Sequence, residues 1–552
     1  MCRSGPPWRA DLRRASGRRL EEELPLRAVP PLEEQHSRKL SARLARAALL
    51  WLVFCCGAAV MGIEMSASRL IAPFFGSTLS VWTSLIGLVL IFLTTGYYVG
   101  GALADRYPSR HLLGTLVLTA GILVLAVPLV STPVLRAAWS LTPRSGILAS
   151  SLVGTFALFS APMVLLGCVC PFAMKLSIGD LGRTGRTSGH IYALSALGSV
   201  VGTFLPALIL IEHWGVRRSI MVFGALLVVA ALLLLGRIRF APAAASLLVL
   251  AAPLPPMLSA QGVILERESA YNHLQVAQVG ERTMLIVDWG EFSCYEPGQF
   301  RTHQYFDYLL LAPLLRSEPP GRWLRSVLVV GLGAGTVSKQ ITEAYGPVPI
   351  DGVEIDPAIV ELGRQLFEMD EANLAVHVTD GRAFLASSNR EYDWVIVDAY
   401  QGSDIPFHLA TREFFESLRE HMAPGGVLSV NVAWWESDEP ELLNRLVGTV
   451  RTAFPSVCVV TAISERSGAV LLAGGEDATP DNLMASAEQV GHEGLLEIAR
   501  EAAEAGAPEL QVASGMTEAF TDDRAPIEKI ADRMYRKMRG EAYSREQALL
   551  QR

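Results

Sequence analysis

The sequence predicts two parts: an N-terminal α-helical transmembrane bundle and, after it, a Rossmann-like α/β domain that starts with a small β region. Three observations support this prediction. Apolar residues concentrate before about residue 260, and strand-like segments alternate with helix-like ones after Arg322. A glycine-rich turn, Gly331-Leu332-Gly333-Ala334-Gly335, joins the first of those strands to a helix. Strands that alternate with helices form a parallel sheet with helices on both faces.

Length and composition exclude several classes of protein. A chain of 552 residues is too long for one ordinary domain. A hydrophobic content of 51% and a mean hydropathy of +0.32 indicate a membrane protein. The net charge of −8, without a basic stripe, argues against a nucleic-acid partner. The seven cysteines have neither metal-site spacing nor the pattern of a disulfide framework, so no metal is expected.

The first part of the chain is predicted to be a tail followed by membrane helices. Residues 1–45 are rich in Arg, Pro and Glu and lack an apolar period, which predicts a disordered cytoplasmic tail. The transmembrane helical domain is expected over residues 46–260, with six or seven segments. Six apolar runs are long enough to cross a hydrocarbon core of about 30 Å. These runs are residues 46–63, 81–104, 112–131, 147–173, 191–211 and 219–236.

The distribution of basic residues indicates the orientation of these runs. Lys and Arg are more frequent on the side of the tail, as they are in cytoplasmic loops. A seventh apolar run, residues 241–260, contains four prolines and either crosses or lies at the surface. Six crossings return the chain to the cytoplasm, whereas a seventh would place the second half outside, away from cytosolic nucleosides. We therefore expect six spans and a cytoplasmic soluble domain.

The second part is expected to be one α/β domain over residues 262–552. A β region is predicted over residues 262–300, and a nucleoside-binding α/β core over residues 322–475. Residues 476–552 read as a helical C-terminal part. Its charged end, from Lys529, faces either solvent or a sister subunit, which would make the protein a homodimer.

Polar residues at the ends of the predicted strands are the candidate ligand-binding groups. In an open α/β sheet, ligands lie beyond the carboxyl ends of the strands. Glycines let the backbone approach a nucleoside closely, and the helix that follows offers free N–H groups. An acid that ends the second strand can accept hydrogen bonds from ribose hydroxyls. The candidates are Gly331, Gly333 and Gly335 in the turn, and Glu354, Asp380 with Gly381, and Asp398 at the strand ends.

This arrangement resembles the spermidine synthase family, the polyamine aminopropyltransferases. The resemblance covers roughly residues 262–435. It includes Ser269-Ala270-Tyr271-Asn272, Tyr305-Phe306-Asp307, the glycine turn, Val353-Glu354-Ile355-Asp356, Asp380-Gly381 and the segment Tyr392 to Asp398. With membrane helices ahead of this domain, the whole chain looks like the bacterial membrane-fused spermidine synthase-like proteins. That likeness implies a class I methyltransferase-like core and a multi-pass protein of the bacterial inner membrane.

The resemblance implies a reaction and a role for each matching residue. An aminopropyl group would pass from decarboxylated S-adenosylmethionine to putrescine or a related amine, and methylthioadenosine would be released. Asp398 would accept the proton of the attacking amine. In the nucleoside half of the site, Glu354 would bind ribose and Asp380 adenine, with Asn272 and Pro406 beside them.

Tyr305 would line the polyamine groove, but two positions in this half depart from the family pattern. Ala334 stands where the family has an acid that holds the aminopropyl ammonium. Gln401 stands where a second acid holds the far amine of the diamine, with Asp404 three residues further on. A charge-assisted hydrogen bond is worth about 1.5–3 kcal/mol, so these losses weaken the polyamine half.

Two other functions therefore stay open. A methyltransferase on the same fold would use intact S-adenosylmethionine, whose carboxylate an acid at Ala334 would repel. A membrane transporter or sensor would use the α/β domain only to bind a nucleoside. Glu64 and Arg69 in the first apolar helix, and the loop sequence Asp105-Arg106, favour that third function.

Overall fold

The structure is a computed structural model, and its description covers most of the chain. It describes residues 32–142, 146–178, 184–236, 262–288, 290–400, 405–435, 441–461, 467–504, 518–531 and 533. Residues 1–31 of the predicted tail lie outside this set, as do the apolar run 241–260 and the end of the chain from residue 534.

Long helices make up the first half of the chain, as predicted. They are α1 (Leu32–Phe75), α2 (Leu79–Arg106), α3 (Arg110–Leu141), α4 (Gly146–Gly167), α5 (Val169–Ser177), α6 (Thr184–Leu205) and α7 (Ile211–Leu234). A π-helical turn, Pro206–Leu210, joins α6 to α7. One boundary of the prediction was wrong: residues 32–45, assigned to the disordered tail, are helical. Leu, Ala, Arg, Glu and Gln dominate this stretch, and such residues extend a helix that has already nucleated.

Five helical ranges among the described residues are long and apolar enough to cross a membrane. The six predicted runs fall inside them, because one range holds two of the runs. These ranges are Arg43–Phe75, Leu79–Arg106, Arg110–Leu141, Gly146–Ser177 and Thr184–Leu234. The last range contains both the fifth and the sixth predicted runs. Gly215, with φ 78° and ψ 167°, breaks the helical geometry within it.

The α/β part packs against the end of the helical bundle where α1 ends and α2 begins. Arg69 near the end of α1 donates to the main-chain carbonyls of Ala270 and Tyr271. Glu528 accepts a hydrogen bond of 2.7 Å from the backbone N–H of Leu79. This placement differs from the expectation that six spans return the chain to the side on which it began. The seventh run, on which that expectation depended, lies outside the described residues.

The predicted β region is a four-stranded antiparallel sheet. Its strands follow chain order: β1 (Val263–Glu268), β2 (His273–Val279), β3 (Arg282–Val287) and β4 (Gly290–Tyr295). Side chains alternate along β3 between buried and half-exposed positions, as expected for a sheet with one covered face. Leu274, Val276 and Leu285 form the covered face and pack on the α/β core.

The α/β core contains a seven-stranded sheet, of which five strands are parallel. The strands are β5 (Val327–Val330), β6 (Ile350–Glu354), β7 (Leu374–Val378), β8 (Tyr392–Val397), β9 (Met422–Trp435), β10 (Ser456–Val460) and β11 (Ser467–Gly474). Their spatial order is β10-β11-β9-β8-β5-β6-β7. The antiparallel strands β10 and β11 at one edge were not predicted.

The strand order places a ligand-binding crevice between β5 and β8. The chain runs from β5 outward to β6 and β7, and then returns to the other side of β5 as β8. Ligands of open α/β sheets bind where the strand order reverses in this way. The residues that follow these two strands, Gly331 and Asp398, therefore face the same crevice.

Helices cover both faces of the sheet, as predicted. They are Tyr305–Leu309, Pro320–Trp323, Thr336–Tyr345, Pro357–Leu366, Gly381–Ser387, Arg412–Glu420, Glu441–Val450, Leu483–Val490 and Glu493–Glu504. Buried side chains fill a core on each side of the strands, one containing Trp394 and Ile396 and the other Val395 and Val397. The alternation along β8 matches a strand that is buried on both faces.

Candidate active site

The glycine turn brings the backbone of β5 against both neighbouring strand ends. Gly331, Gly333 and Gly335 have φ values of 89°, 59° and 96°, a region that residues with a Cβ rarely adopt. A Cβ on Gly331 would collide with the main-chain carbonyl of Asp398. A Cβ on Gly333 would lie 2.6 Å from Ser293 Oγ. The turn thus needs glycine both for its dihedral angles and for these close approaches.

Glu354 ends β6 and is held beneath the turn. Its Oε2 accepts a 3.0 Å hydrogen bond from the backbone N–H of Gly333, and its Oε1 accepts one of the same length from Asp356. The side chain is 7% exposed. Burial raises the pKa of Glu354 to about 7, although the two backbone N–H groups act in the opposite direction. A buried carboxylate at this position has oxygen lone pairs for ribose hydroxyls.

Asp398 follows β8 and receives hydrogen bonds from two directions. Asn431 Nδ2, on β9, donates to Asp398 Oδ1 over 2.8 Å. The Tyr305 hydroxyl also bonds to Asp398, and this contact joins the helix Tyr305–Leu309 to the crevice. Burial raises the pKa of Asp398 to about 7 against the opposing effect of both donors, and the charge of Glu354 raises it further. The two carboxyl groups therefore share one crevice.

Asp380 follows β7 and caps the helix Gly381–Ser387. Its Oδ1 accepts from Ala383 N over 2.9 Å, and its Oδ2 lies 3.0 Å from His408 Nε2. Burial alone would raise its pKa, but the Ala383 N–H and His408 outweigh burial, so the pKa of Asp380 lies below its ordinary value. Asp380 is therefore a stable anion at neutral pH, suited to accept from an exocyclic amine.

Gly381 and Pro406 lie on either side of this carboxylate. A Cβ on Gly381 would collide with Val330 at the end of β5, so this glycine allows its helix to approach the central strand. Pro406 precedes the short 3-10 turn Phe407–Leu409, which carries His408 to Asp380. The structure thus brings Gly381 against the end of β5 and the segment after Pro406 against Asp380.

Asn272 reaches the site through Asp356 rather than directly. Its Nδ2 donates to Asp356 Oδ2 over 3.2 Å, and the Ser269 hydroxyl donates to the same oxygen over 2.5 Å. Asp356 is fully buried, and its backbone N–H binds Glu354. The loop between β1 and β2 is in this way fixed to the end of β6, and Asn272 lies next to the predicted ribose ligand.

Of the residues predicted to bind the polyamine, the structure describes Tyr305 and the surroundings of Ala334. Ala334, where the family has an acid, is 1% exposed. It packs in the apolar cluster formed by Leu274, Val276, Leu285 and Phe367, and its N–H donates to Ser293 Oγ over 2.8 Å. Gln401 and Asp404 lie outside the described residues. Tyr305, which the prediction placed in the polyamine groove, is the residue of this half that the structure brings to Asp398.

Two residues that surround these acids were missing from the predicted set. Asn431 lies within β9, one position beyond the apolar strand recognised in the sequence and beside the carboxyl end of β8. A polar residue directly after that apolar stretch was the signal that could have identified it. His408 lies two residues after the predicted Pro406 and binds Asp380.

Comparisons with known proteins agree with this geometry. Residues 312–466 match the spermine/spermidine synthase domain family. A probable polyamine aminopropyl transferase of Bifidobacterium longum is 37% identical over 199 residues, which cover 36% of this chain and 43% of that protein. A polyamine aminopropyltransferase of Mycobacterium tuberculosis is 28% identical over 455 residues, covering 74% of this chain and 81% of the relative.

A Vibrio vulnificus polyamine aminopropyltransferase is 35% identical over 133 residues, which cover 23% of this chain and 43% of that relative. The chain thus matches less than half of the length of the Bifidobacterium and Vibrio relatives. Among solved structures, a probable spermidine synthase from Corynebacterium glutamicum aligns with 48% of this chain and 97% of its own. That alignment has 20% identity and a TM-score of 0.38. From these comparisons together, residues 312–466 form a spermine/spermidine synthase domain, and the chain is similar in sequence to polyamine aminopropyltransferases.

Proposed function

We propose that this protein is a membrane-anchored aminopropyltransferase that moves an aminopropyl group from decarboxylated S-adenosylmethionine to putrescine or a related amine. The observation that carries the proposal is Asp398, held at the sheet's reversal point between Tyr305 and Asn431 with a pKa of about 7. An acid with that pKa can accept a proton from an ammonium group near neutral pH. The names of the sequence relatives support the same reaction.

The chemical step follows from this arrangement. Ionised Asp398 accepts a proton from the acceptor ammonium, which leaves a neutral amine with a free electron pair. The amine attacks the aminopropyl carbon next to the sulfonium sulfur. As the new C–N bond forms, the C–S bond breaks, and its electron pair stays on sulfur as the neutral thioether methylthioadenosine. The product leaves as the secondary ammonium, and protonated Asp398 returns its proton to solvent, which restores the carboxylate for the next turnover.

The nucleoside would be held by the turn and the two flanking acids. Glu354 would accept from ribose hydroxyls once these replace the N–H of Gly333 as its partners. Asp380 would accept from the exocyclic amine of adenine. Glu354 ends β6 and Asp380 follows β7, on the same side of β5, so the nucleoside would lie across the carboxyl ends of β5, β6 and β7.

Membrane anchoring is part of the proposal. The five apolar helical ranges before residue 235 support it by length and composition. The proposed division places the helical domain before residue 261 and the α/β domain after it. Tethering to a bilayer would keep the α/β site within a short distance of the membrane surface.

The test uses the purified full-length protein in detergent. It is incubated with putrescine and decarboxylated S-adenosylmethionine, and methylthioadenosine is measured by chromatography. We expect product from the wild type and a loss of at least 100-fold in Asp398→Asn, because the amide cannot accept the proton. Glu391→Gln, at the opposite, exposed end of β8, is the matched control and should retain full rate. Product formation that persists in Asp398→Asn would remove Asp398 from this role.

A second candidate function is methyl transfer from intact S-adenosylmethionine. The observation that favours it is Ala334, because no carboxylate at that position repels the carboxylate of the intact cofactor. The same assay, supplied with S-adenosylmethionine, distinguishes the two functions. S-adenosylhomocysteine would indicate the methyltransferase, and methylthioadenosine the aminopropyltransferase. Nucleoside binding without either product would indicate a sensor or transporter.

A further inference from the structure

The helical bundle has two ends that can be defined by its contacts. At the first end, where α2 and α5 finish, Lys175 forms an ion pair of 2.6 Å with Asp105. At the second end, where α1 and α3 finish, the rings of Phe75 and Trp139 stack with centroids 6.0 Å apart. Because a helix rises 1.5 Å per residue, helices of this length separate the two ends by roughly 30 Å or more.

Glycine contacts fix the direction in which α6 runs. A Cβ on Gly198 would collide with the carbonyl of Phe54, and one on Gly202 with that of Ala58. Residue numbers along α6 increase together with those of the α1 residues that they contact, so α6 is parallel to α1. It therefore starts at the first end and finishes at the second.

The contacts of α7 show that it returns to the first end. Gly121 of α3 packs against Val228, whereas Gly114 packs against Leu235. Residue numbers along α7 fall as those of the contacting α3 residues rise, so α7 is antiparallel to α3. Because α3 runs from the first end to the second, α7 finishes at the first end.

The α/β part is nevertheless docked at the second end. Strand β1 packs against α7, where Glu268 lies beside Gly215 at the start of that helix. Arg69, two turns before the end of α1, binds the Ala270 and Tyr271 carbonyls. Leu79, the first residue of α2, donates to Glu528. Three separate helix ends thus contact the α/β part at the same end of the bundle.

Leu234 at the end of α7 therefore lies at the first end of the bundle, whereas Val263 at the start of β1 lies at the second. The described helices account for six passages between the two ends: α1, α2, α3, α4 with α5, α6 and α7. After the sixth passage the chain is at the first end, but the α/β part is docked at the second. The α/β part consequently lies on the opposite side of the bundle from the α2–α3 connection, which contains Tyr107 and Pro108.

Charge decides which of the two ends faces the cytoplasm. The exposed cations that the structure describes at the first end include Arg106, Arg110, Lys175 and Arg186. At the second end, Arg69 is engaged by the α/β part, and Arg217 is 8% exposed and binds the carbonyl of Pro128. Exposed Arg136 and Arg218 remain there. Cytoplasmic loops carry the excess of Lys and Arg, which places the first end in the cytoplasm.

We infer that the α/β part and its nucleoside site lie on the non-cytoplasmic side of the membrane, so that the site takes its amine and its nucleoside from that compartment. The inference rests on the proposed insertion of the helices in a bilayer. It also defines a supply step for the proposed reaction. A sulfonium nucleoside is a permanent cation that does not diffuse through hydrocarbon, so a carrier-mediated transport reaction must deliver it.

The test is cysteine accessibility in the full-length protein, expressed in spheroplasts with Cys2 replaced by Ser. Among the native cysteines that the structure describes, each is buried or half-buried. Single reporter cysteines are placed at exposed positions of the α/β part, Glu391→Cys and Asp481→Cys, and in the α2–α3 connection, Tyr107→Cys. A membrane-impermeant maleimide is applied before or after lysis. Two α/β positions guard against a local folding defect at either one.

We expect Glu391→Cys and Asp481→Cys to react in intact spheroplasts, and Tyr107→Cys to react only after lysis. Equal behaviour of the three positions would overturn the placement of the α/β part and the α2–α3 connection at opposite ends of the bundle. Protection of the two α/β positions with reaction at Tyr107→Cys would overturn the assigned compartment. Extraction of the protein by alkaline carbonate would show instead that the membrane proposal itself is wrong. None of these readouts needs enzyme activity, so failure of the proposed reaction remains a separate result.

Discussion

Asn431 Nδ2 donates a 2.8 Å hydrogen bond to Asp398 Oδ1 and so links β9 to the end of β8 in the candidate site. The bond favours the ionised carboxylate, whereas burial favours the protonated one. The pKa of about 7 is the balance of these two effects. Asn431 is thus a positioning residue that keeps part of Asp398 ionised near neutral pH.

Loss of this amide should move the pH dependence of the proposed reaction. In Asn431→Leu the pKa of Asp398 rises, so the acid limb of the rate profile should shift to higher pH by about one unit. The measurement is the methylthioadenosine rate from pH 5.5 to 9.5. Asn431→Asp should shift the limb further, since a second carboxylate disfavours ionisation of the first. The control Glu391→Gln should leave the acid limb of the rate profile unchanged. An unchanged acid limb in Asn431→Leu would contradict the role of Asn431 as a positioning residue for Asp398.

Glu354 should make the protein less stable as the pH rises. Its folded-state pKa of about 7 exceeds the ordinary value of 4.5, so the native state binds more protons than the unfolded state between these values. The free energy of unfolding therefore falls as pH rises through that window, by an amount of order 2–3 kcal/mol. Glu354→Gln should remove this dependence and raise the thermal midpoint at pH 8, while nucleoside affinity falls.

The measurement is the thermal midpoint of detergent-solubilised protein at pH 5 and pH 8. The contribution from Asp398, whose pKa is also raised to about 7, has the same sign. The double variant Glu354→Gln with Asp398→Asn should consequently have the flattest profile. A pH dependence that is the same in the wild type and Glu354→Gln would refute this prediction.

Restoring the family acid at Ala334 should not restore an amine site. The side chain is 1% exposed and faces Leu274, Val276 and Phe367, so Ala334→Asp would bury a charge among apolar groups. We expect a destabilisation of several kcal/mol and no gain in putrescine affinity. Ala334→Ser, of similar size and without charge, is the control for volume. A folded, more active Ala334→Asp would show that this position does face the amine.

Arg69 should stabilise the contact between the helical bundle and the β region. Its guanidinium donates to two carbonyls, Ala270 and Tyr271, a geometry that a single ammonium does not reproduce. Arg69→Lys should therefore lower the thermal midpoint of the α/β part, as expected for a loss of about 1 kcal/mol. Arg218→Lys, an exposed cation at the same end of the bundle, serves as the control. Equal midpoints for the two variants would argue against the role of Arg69.

Local chemistry was sufficient to identify much of this protein from its sequence. Apolar runs longer than a bilayer core predict the long helices, because helix length and hydropathy are properties of consecutive residues. The turn from Gly331 to Gly335 can also be predicted from consecutive residues, because its positive φ values require glycine at defined positions. Glu354, Asp380 and Asp398 were identified because each directly follows an apolar strand, and the strand ends of an open sheet meet.

Other features depend on contacts between residues that are distant in sequence. Nothing in the local sequence pairs Asn431 with Asp398, His408 with Asp380, or Asn272 with Asp356, because each pair meets only after the strands are ordered in space. The apolar surroundings of Ala334 likewise come from β2 and β3, some fifty residues earlier in the chain.

The side of the bundle that holds the α/β part was also decided by tertiary packing. The sequence predicted the apolar runs, but the side depends on where β1 docks, and the contacts of Arg69, Gly215 and Leu79 form only in the folded chain. Consecutive residues determine which segments become helices or strands and which positions need glycine. Long-range contacts determine which side chains pair, how the strands align and at which end of the bundle the α/β part lies. The free energy of these contacts depends on residues from several segments at once.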